Sequence, residues 1–500
     1  TALTEVKLPD SITKIYFEAF KNCTKLKKIN FPLSWAEAPT RHGSYSGPGY
    51  QGNIFVGCTN LKKITVPEGV IAIPVCAFSG SNRIEEVVLP ETLVTINNYA
   101  FYDCSNLEKI WIDESVTSIA GNAFGNCSAL TIHGIENSYA HTYANSKNIP
   151  FSTETMVYPV STLSGTVTAN GNGVEGVAVT FFDMDKDMVQ ETVFTDEDGF
   201  FSYDEAYEGH SYRISFYHKD YTIEESVQRY LVGESDITVK TVLATAKPAI
   251  AETAAENFSY KVLNGTFCSI VKYTGDEAQV RIPAEINGYT VRHIENEAFR
   301  NNTKVTAVVL PDTVETIGTS VFSGCTALTD ARLNHGLTNL GNYTFSLCKA
   351  LESVSVPSTV EQMGSYAFEY CEKLTDVTLY DGLKNIGSYA FIGCSSLEEI
   401  ATPASLDTVG EYAFQNDKAL KTLTLEEGLI TIGRNAFEGC TALTNVKLPD
   451  SVTKICFEAF RNCTNLSEIN FPLSWAEAPT RHGSYSGPDY QGQIFTGCTS

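Results

Sequence analysis

Nowhere in the 500 residues do about 18 apolar side chains run together, the length a helix needs to cross a hydrocarbon core, so no membrane-spanning segment is expected. No C-x-x-C pair occurs among the 14 cysteines, which argues against zinc ribbons and thioredoxin-type redox sites. H-E-x-x-H, G-x-S-x-G and the phosphate-cradling G-x-x-x-x-G-K-[ST] are missing as well. The eight histidines (His42, His133, His141, His210, His218, His293, His335 and His482) are scattered. Ser/His/Asp combinations could be picked anywhere in a chain of this length and carry no weight. Neither catalytic residues, nor a bound metal, nor a cofactor is therefore expected. Positive charge is scarce: 35 Lys and Arg stand against 59 Asp and Glu, a net charge of −24. The acidic residues are dispersed, and such a surface repels phosphate backbones, so nucleic acid is not an expected partner.

What the chain does have is a period. Its length is too great for one compact core, and 43% of its residues are hydrophobic, enough for several. Phenylalanines fall at Phe55, Phe78, Phe101 and Phe124, then at Phe299, Phe322, Phe345, Phe368, Phe391, Phe414, Phe437 and Phe460, every 23 residues within each series. Two longer steps, Phe20 to Phe55 and Phe460 to Phe495, are 35 residues, one period plus a 12-residue insertion. Each unit reads like Leu374–Cys394, LTDVTLYDGLKNIGSYAFIGC: a short extended segment with Leu374, Val377 and Leu379, a turn, Leu383 and Ile386, a glycine, then Ala-Phe and a closing Cys. One such unit cannot bury its apolar side alone, whereas stacked units supply one another's core. With parallel strands about 4.8 Å apart, the anchors from Phe299 to Phe495 should span roughly 40 Å.

The repeat also accounts for the cysteines. Eleven of the fourteen stand three residues after an anchor: Cys23, Cys58, Cys104, Cys127, Cys325, Cys348, Cys371, Cys394, Cys440, Cys463 and Cys498. Ser81, Asn302 and Asp417 take that place in the other coils, and Cys76, Cys268 and Cys456 form no motif. Stacked side chains pointing one way hold their Cβ atoms about 5 Å apart, beyond the usual disulfide span of roughly 3.5–4.5 Å. Free, buried thiols are expected.

The expected fold is mainly β: two leucine-rich-repeat solenoid arrays of 23-residue repeats flanking a small antiparallel β-sandwich. The first array covers 1–151 and closes on a helix cap, Ser138-Tyr-Ala-His-Thr-Tyr-Ala-Asn-Ser-Lys147. Residues 158–245 lack the period and alternate short β-rich runs with turns such as Asn170-Gly-Asn-Gly173, a sandwich pattern. An Ala/Thr/Pro linker is expected at 246–256, and a second array at 257–500 opening with hairpins. Residues 1–60 and 441–500 match at 49 of 60 positions without gaps. This predicts a larger tandem unit of 440 residues, cut here inside an array at both ends, with residues beyond 500 resembling 61–150 and further copies in the full-length protein.

The unit L-x-x-V/I-x-L-P-x-x-V-x-x-I-G-x-x-A-F-x-x-C-x-x-L resembles the BspA-like (Treponema pallidum-type) leucine-rich repeats. The opening GTFCSIVKYTGDEAQVRIPAEINGYTVRHIENEAF and the close IHGIENSYAHTYANSKNIPF look like that family's array ends. The resemblance covers about 1–151 and 257–500. It implies an extracellular or cell-surface protein of bacteria or mucosal protists, associated with adhesion to host proteins, glycans or other microbes, with no catalytic residues to carry over. The middle segment, SGTVTANGNGVEGVAVTFF with TDEDGFFSY and GHSYRISFYHKDY, is similar to carboxypeptidase-regulatory-like and collagen-adhesin B-type sandwich domains. Some of these carry a Lys–Asn isopeptide bond, but Lys186, Lys219 and Lys240 have no clear late-strand Asn partner.

The 12-residue insertion is the first candidate site. It makes the loop 32–55, which holds Trp35, Arg41, His42, Tyr45 and Tyr50, and returns at 472–495 with Trp475, Arg481, His482, Tyr485 and Tyr490. Exposed aromatics beside Arg suit a protein or glycan ligand; the simpler reading is a self-packed loop whose Trp covers the solenoid edge. Positions between the apolar ones on the sheet, such as Thr375, Asp376 and Thr378, would also read a ligand. Asp183-Met-Asp-Lys-Asp187 has carboxylates spaced as in a calcium loop but lacks the Gly and Glu that an EF-hand places sixth and twelfth. Asp196-Glu-Asp198 reads as a hairpin turn before Gly199. Alternatives to a binding module are a structural stalk or spacer, and a substrate-binding part of a larger secreted enzyme. Phe368→Ala, in mid-array, is expected to cost about 3–5 kcal/mol; an unchanged thermal midpoint would remove Phe368 from the interior.

Overall fold

The computed structural model describes the chain except residues 1–2, 7, 9–11, 13, 33–34, 36–52, 68–69, 91, 155–159, 187, 234, 471, 473–492 and 499–500. It divides into two compact units, Thr1–Pro159 and Val160–Ser500.

In the first unit, strands Lys63–Thr65, Glu86–Val88, Lys109–Ile112, Thr131–Gly134 and Phe151–Ser152 pair in parallel. A second ladder joins Ala72–Ile73, Thr95–Ile96 and Ser118–Ile119. The registers advance by 23 residues per step, as in Ile73↔Ile96 and Ile96↔Ile119. Helix Tyr139–Lys147 closes the stack: Ser138 caps it by accepting the His141 N–H, and Asn148 ends it in the left-handed conformation. Its inner residues Ala140, Tyr143 and Ala144 are buried, and Tyr143 meets the last anchor Phe124 edge-on at 6.1 Å.

In the second unit the sandwich comes first. Strands Met188–Phe194, Ala178–Asp183, Ser211–Tyr217 and Val227–Leu231 form one antiparallel sheet, and Val160–Ala169, Phe200–Tyr207 and Val242–Ala246 belong to the facing one. Leu163, Val179, Phe181, Phe201, Tyr212, Ile214 and Phe216 fill the space between them. Hairpins Phe258–Val262/Phe267–Tyr273 and Glu285–Ile286/Tyr289–Ile294 then begin the array. Its long parallel sheet runs through Gln279–Arg281, Ala307–Val309, Asp330–Arg332, Ser353–Val356 and Asp376–Leu379. Segment 246–256 is not free chain: Ile250 packs on Ala307 and Val309, and the Thr253 N–H donates to the Arg281 carbonyl.

The anchors form a continuous aromatic column. Ring centroids from Phe299 through Phe460 are 5.0–5.4 Å apart, opened by Tyr273 of the hairpin cap at 5.1 Å. The first unit has a column of its own, Phe20, Phe55, Phe78, Phe101 and Phe124, with centroids 5.1–6.1 Å apart. Phe20 is only half-buried, and Phe495, stacked 5.9 Å from Phe460, is 38% exposed; the other twelve anchors are buried.

Next to this column runs the thiol column, in which ten of the eleven sulfurs donate to a carbonyl of the preceding coil. Cys348, Cys371, Cys394 and Cys440 donate to the carbonyls of Phe322, Phe345, Phe368 and Phe414, each on the preceding coil, at 3.1–3.2 Å. The site needs a small buried side chain with one weak donor, which describes cysteine. Burial pushes Cys58 up to about 11 and Cys325 and Cys463 to about 12, so these stay protonated and donating, whereas a hydrogen bond with Cys104 lowers Cys127. Asp417 occupies the same column between Cys394 and Cys440 with no exposure, and neither carboxylate oxygen has a partner. Burial pushes its carboxyl well above the usual range.

Because its folded-state pKa lies above the unfolded value of about 3.9, Asp417 costs least when protonated, and stability falls as pH rises from there towards the folded pKa. Asp417→Cys should therefore stabilise the second unit by about 1–3 kcal/mol at pH 7, with the gain shrinking towards pH 4. Thermal unfolding of both variants across that range measures it; a gain that does not depend on pH would contradict a buried titrating acid.

Candidate functional site

The insertion loop begins at the end of an apolar turn, and this decides the fate of its first aromatic. The Trp35 N–H donates to the Pro32 carbonyl, folding the chain back so that the indole lies 4.8 Å from Phe31 and 6.0 Å from Phe78. Trp35 is 1% exposed and belongs to the core of the first unit, so it is withdrawn as a ligand-reading side chain: covering the edge of the coil removes more apolar surface from water than presenting it would. Arg41, His42, Tyr45, Tyr50, Trp475, Arg481, His482, Tyr485 and Tyr490 lie outside the described residues.

On the sheet of the second array, Thr375 and Asp376 are exposed and Thr378 is half-buried. Beside them Glu398, Glu399, Lys421 and Thr422 line an open polar depression, in which Lys421 pairs with Glu398 at 3.0 Å. The turns that follow the sheet strands are not open, because the sandwich sits on them. Tyr217 donates to the Leu333 carbonyl at 2.5 Å and meets Tyr380 edge-on, and the Thr180 and Ser358 hydroxyls are 2.8 Å apart. Asp220 receives Arg281 and Arg332 at 2.7 and 3.1 Å, while Lys219 and Arg229 reach Asp312 and Glu426. At the centre Arg213 donates to Asp381 at 2.7 Å; their side chains are 6% and 0% exposed. Burial pushes the Asp381 carboxyl up against the pull of Arg213 and of the Ala404 N–H.

The acidic turn of the sandwich brings Asp183, Asp185 and His210 within 4.8 Å of one another. These groups are already engaged. Asp183 is fully buried, with Oδ1 accepting the Asp185 and Lys186 N–H groups and Oδ2 facing His210 Nδ1 at 2.7 Å. Asp185 accepts the Ser211 N–H. The arrangement pins the 183–186 turn against the turn at 207–211. Of the lysines weighed for an isopeptide bond, Lys186 lies over the Tyr207 ring, Lys219 pairs with Asp312 and Lys240 with Glu225.

One further surface has a periodic signal in the sequence that sequence reasoning alone does not separate from the core: Tyr343, Tyr366, Tyr389 and Tyr412, each two residues before an anchor. Their rings stack face to face at 4.6, 4.7 and 4.7 Å with interplanar angles of 4°, 2° and 7°. The backbone there is left-handed, φ 56–61°, as at this position in most coils. Elsewhere Asn53, Asn435, Ser320 or Glu297 takes the place; for a bulky residue the conformation costs roughly 1–2 kcal/mol, which stacking of about 0.5–1.5 kcal/mol per pair offsets in part. Two residues after the anchor the chain is left-handed again, usually at Gly or Asn, yet Leu347 and Tyr370 hold it there at 40% and 43% exposure. Burial raises the Tyr366 and Tyr389 hydroxyls, which therefore remain donors.

The sandwich contact makes a sharp prediction. Arg213→Ala strands the buried Asp381 and should destabilise the second unit by about 3–5 kcal/mol, whereas Arg213→Met with Asp381→Leu should be close to neutral. Urea unfolding of both decides it; equal losses would place the energy outside the ion pair.

The family model described as the BspA-type leucine-rich-repeat region matches in six copies, over residues 1–41, 51–150, 292–421 and 384–481. The model for the second β-sandwich domain of a NOMO1-like BOS complex subunit matches residues 161–246. No curated protein matches the chain. Among solved structures, the Treponema pallidum leucine-rich-repeat protein TpLRR is 27% identical, with 39% of this chain and 91% of that one covered and a TM-score of 0.35. A leucine-rich-repeat protein from Bacteroides ovatus is 19% identical over 94% of this chain and 82% of its own, TM-score 0.35. A leucine-rich cell surface protein from Faecalibacterium prausnitzii is 18% identical over 47% and 100%, TM-score 0.21. Among the described residues no helix is long and apolar enough to cross a membrane. With two array segments matched on either side of a separately matched sandwich, the chain belongs to the BspA-type leucine-rich-repeat family.

Proposed function

We propose that this chain is a non-enzymatic extracellular or cell-surface binding protein that mediates adhesion to host proteins, glycans or other microbes through its solenoid surface. The observation that carries the reading is the set of exposed Tyr343, Leu347 and Tyr370, bulky side chains held in left-handed backbone that Gly or Asn would adopt at less cost. Large amphipathic side chains of few rotamers are what protein recognition surfaces use. The open stretch of sheet around Thr375 and Asp376 offers a second, polar surface on the same array. Arg41, His42, Tyr45, Tyr50, Trp475, Arg481, His482, Tyr485 and Tyr490 stay within the proposal as insertion-loop contacts.

A stalk or spacer is favoured by one observation, the buried Arg213–Asp381 pair that fastens sandwich to array. A substrate-binding part of a larger secreted enzyme would use the same surfaces. Immobilised matrix proteins and glycans, probed with the 500-residue chain by surface plasmon resonance, test the adhesion reading. At least one saturable ligand is expected, with affinity lowered about tenfold or more by Tyr370→Asn with Leu347→Asn or by Arg41→Ala with Arg481→Ala. No saturable binding across the panel would leave the stalk as the function.

A further inference from the structure

We propose that the tyrosine row of the second array is a binding site for a basic, proline-rich peptide segment in the polyproline II conformation. The inference rests on the binding reading above and names the ligand class. Tyr343, Tyr366, Tyr389 and Tyr412 form a straight strip about 14 Å long by the three stacking distances. With their faces turned to one another, the inner rings cannot stack on a sugar; what they present is a line of ring edges and hydroxyls. Nearly parallel rings carry these hydroxyls at the same 4.7 Å repeat.

That repeat selects among the shapes a peptide can take along the strip. Side chains on one face of an extended strand recur at about 6.6–6.8 Å, and a helix has a pitch of about 5.4 Å; neither falls in step with 4.7 Å over four rings. A polyproline II helix has three residues per turn and a rise of about 3.1 Å per residue, so equivalent carbonyls recur at about 9.3 Å. Twice the tyrosine spacing of 4.7 Å is 9.4 Å, so every second hydroxyl meets a carbonyl of the same face. The polyproline II backbone makes no internal hydrogen bonds and leaves its carbonyls free to accept, and it is already ordered before binding. Leu347 and Tyr370, exposed four residues after Tyr343 and Tyr366, supply apolar surface for the proline rings.

Charge sets the flanking residues. Segments 342–347, 365–370, 388–393 and 411–416 contain Glu369 and Glu411 but no Lys or Arg, and Arg434 on the following coil stands as a cation beside them, so the row keeps a net negative charge that favours basic residues beside the prolines over acidic ones. Among the described residues, none of the polar or ring contacts that seat the sandwich on the array involves the four tyrosines.

The test uses the 500-residue chain and three labelled dodecamers, (Pro-Pro-Arg)4, (Pro-Pro-Glu)4 and (Gly-Ser-Arg)4, with binding read by fluorescence anisotropy. The flexible peptide carries the same charge as the first and reports simple attraction to a chain of net charge −24. (Pro-Pro-Arg)4 is expected to bind at least about tenfold more tightly than either control, and Tyr366→Phe with Tyr389→Phe, which keeps the stack and removes two donors, to weaken it by about tenfold or more. An unchanged melting curve for the double variant assigns the loss to the hydroxyls. Equal binding of (Pro-Pro-Arg)4 and (Gly-Ser-Arg)4, or full binding by the double variant, overturns the proposal. If that happens while a matrix protein or glycan still binds saturably, the adhesion reading stands without it; if nothing binds, both fall.

Discussion

A coil of this repeat contributes strands of only two to four residues, too short to hold together without a neighbour. Stacking one coil on the next is the interaction on which everything else depends. It satisfies the backbone along two ladders and through the turns between them, where the Phe345 and Phe368 N–H groups donate to the Ala367 and Ala390 carbonyls on the following coil. It also superposes equivalent side chains, so each position in the unit becomes a column with its own chemistry. Phenylalanines gain an aromatic neighbour on both sides, and thiols gain a carbonyl acceptor. At Gly387 a Cβ would lie 2.5 Å from the Gly364 carbonyl carbon, so where glycine follows glycine in that column the coils approach too closely for a side chain.

The same geometry makes errors in a column expensive and legible. Asp417 fits the thiol column by size but brings a group that burial drives towards its neutral form. Asp381, equally buried, keeps an Arg and a backbone N–H as partners. The difference lies in what faces each carboxyl: the interior of a stack in one case, a second domain in the other. The sequence sets Asp417 in the cysteine column by its spacing from Phe414, but nothing in it marks Asp381 as buried.

The sandwich narrows where the second array can engage anything else. By seating Tyr217, Arg213 and Thr180 on the turns from Leu333 to Asp381 it occupies one rim of the sheet. The strip of tyrosines and the stretch of sheet around Asp376 lie among what is left exposed or half-exposed.

The sequence by itself determined the repeat. A 23-residue period in Phe and Cys, the change to alternating β patterning near 158 and the Ser138–Lys147 cap were all readable because each obeys a local rule of spacing, alternation or capping. The tyrosine row is equally periodic, but a column of half-exposed aromatics is indistinguishable, in one dimension, from a core position. Only the tertiary structure decided that Trp35 turns inward onto Phe31 and Phe78, and that Arg213 and Asp381, 168 residues apart, meet. It also decided that the segment after Lys247 packs against the array. The reason is physical: periodicity fixes which residues share a column, whereas contacts between domains depend on which surfaces lose most by staying in water, and that is settled only once both surfaces have formed.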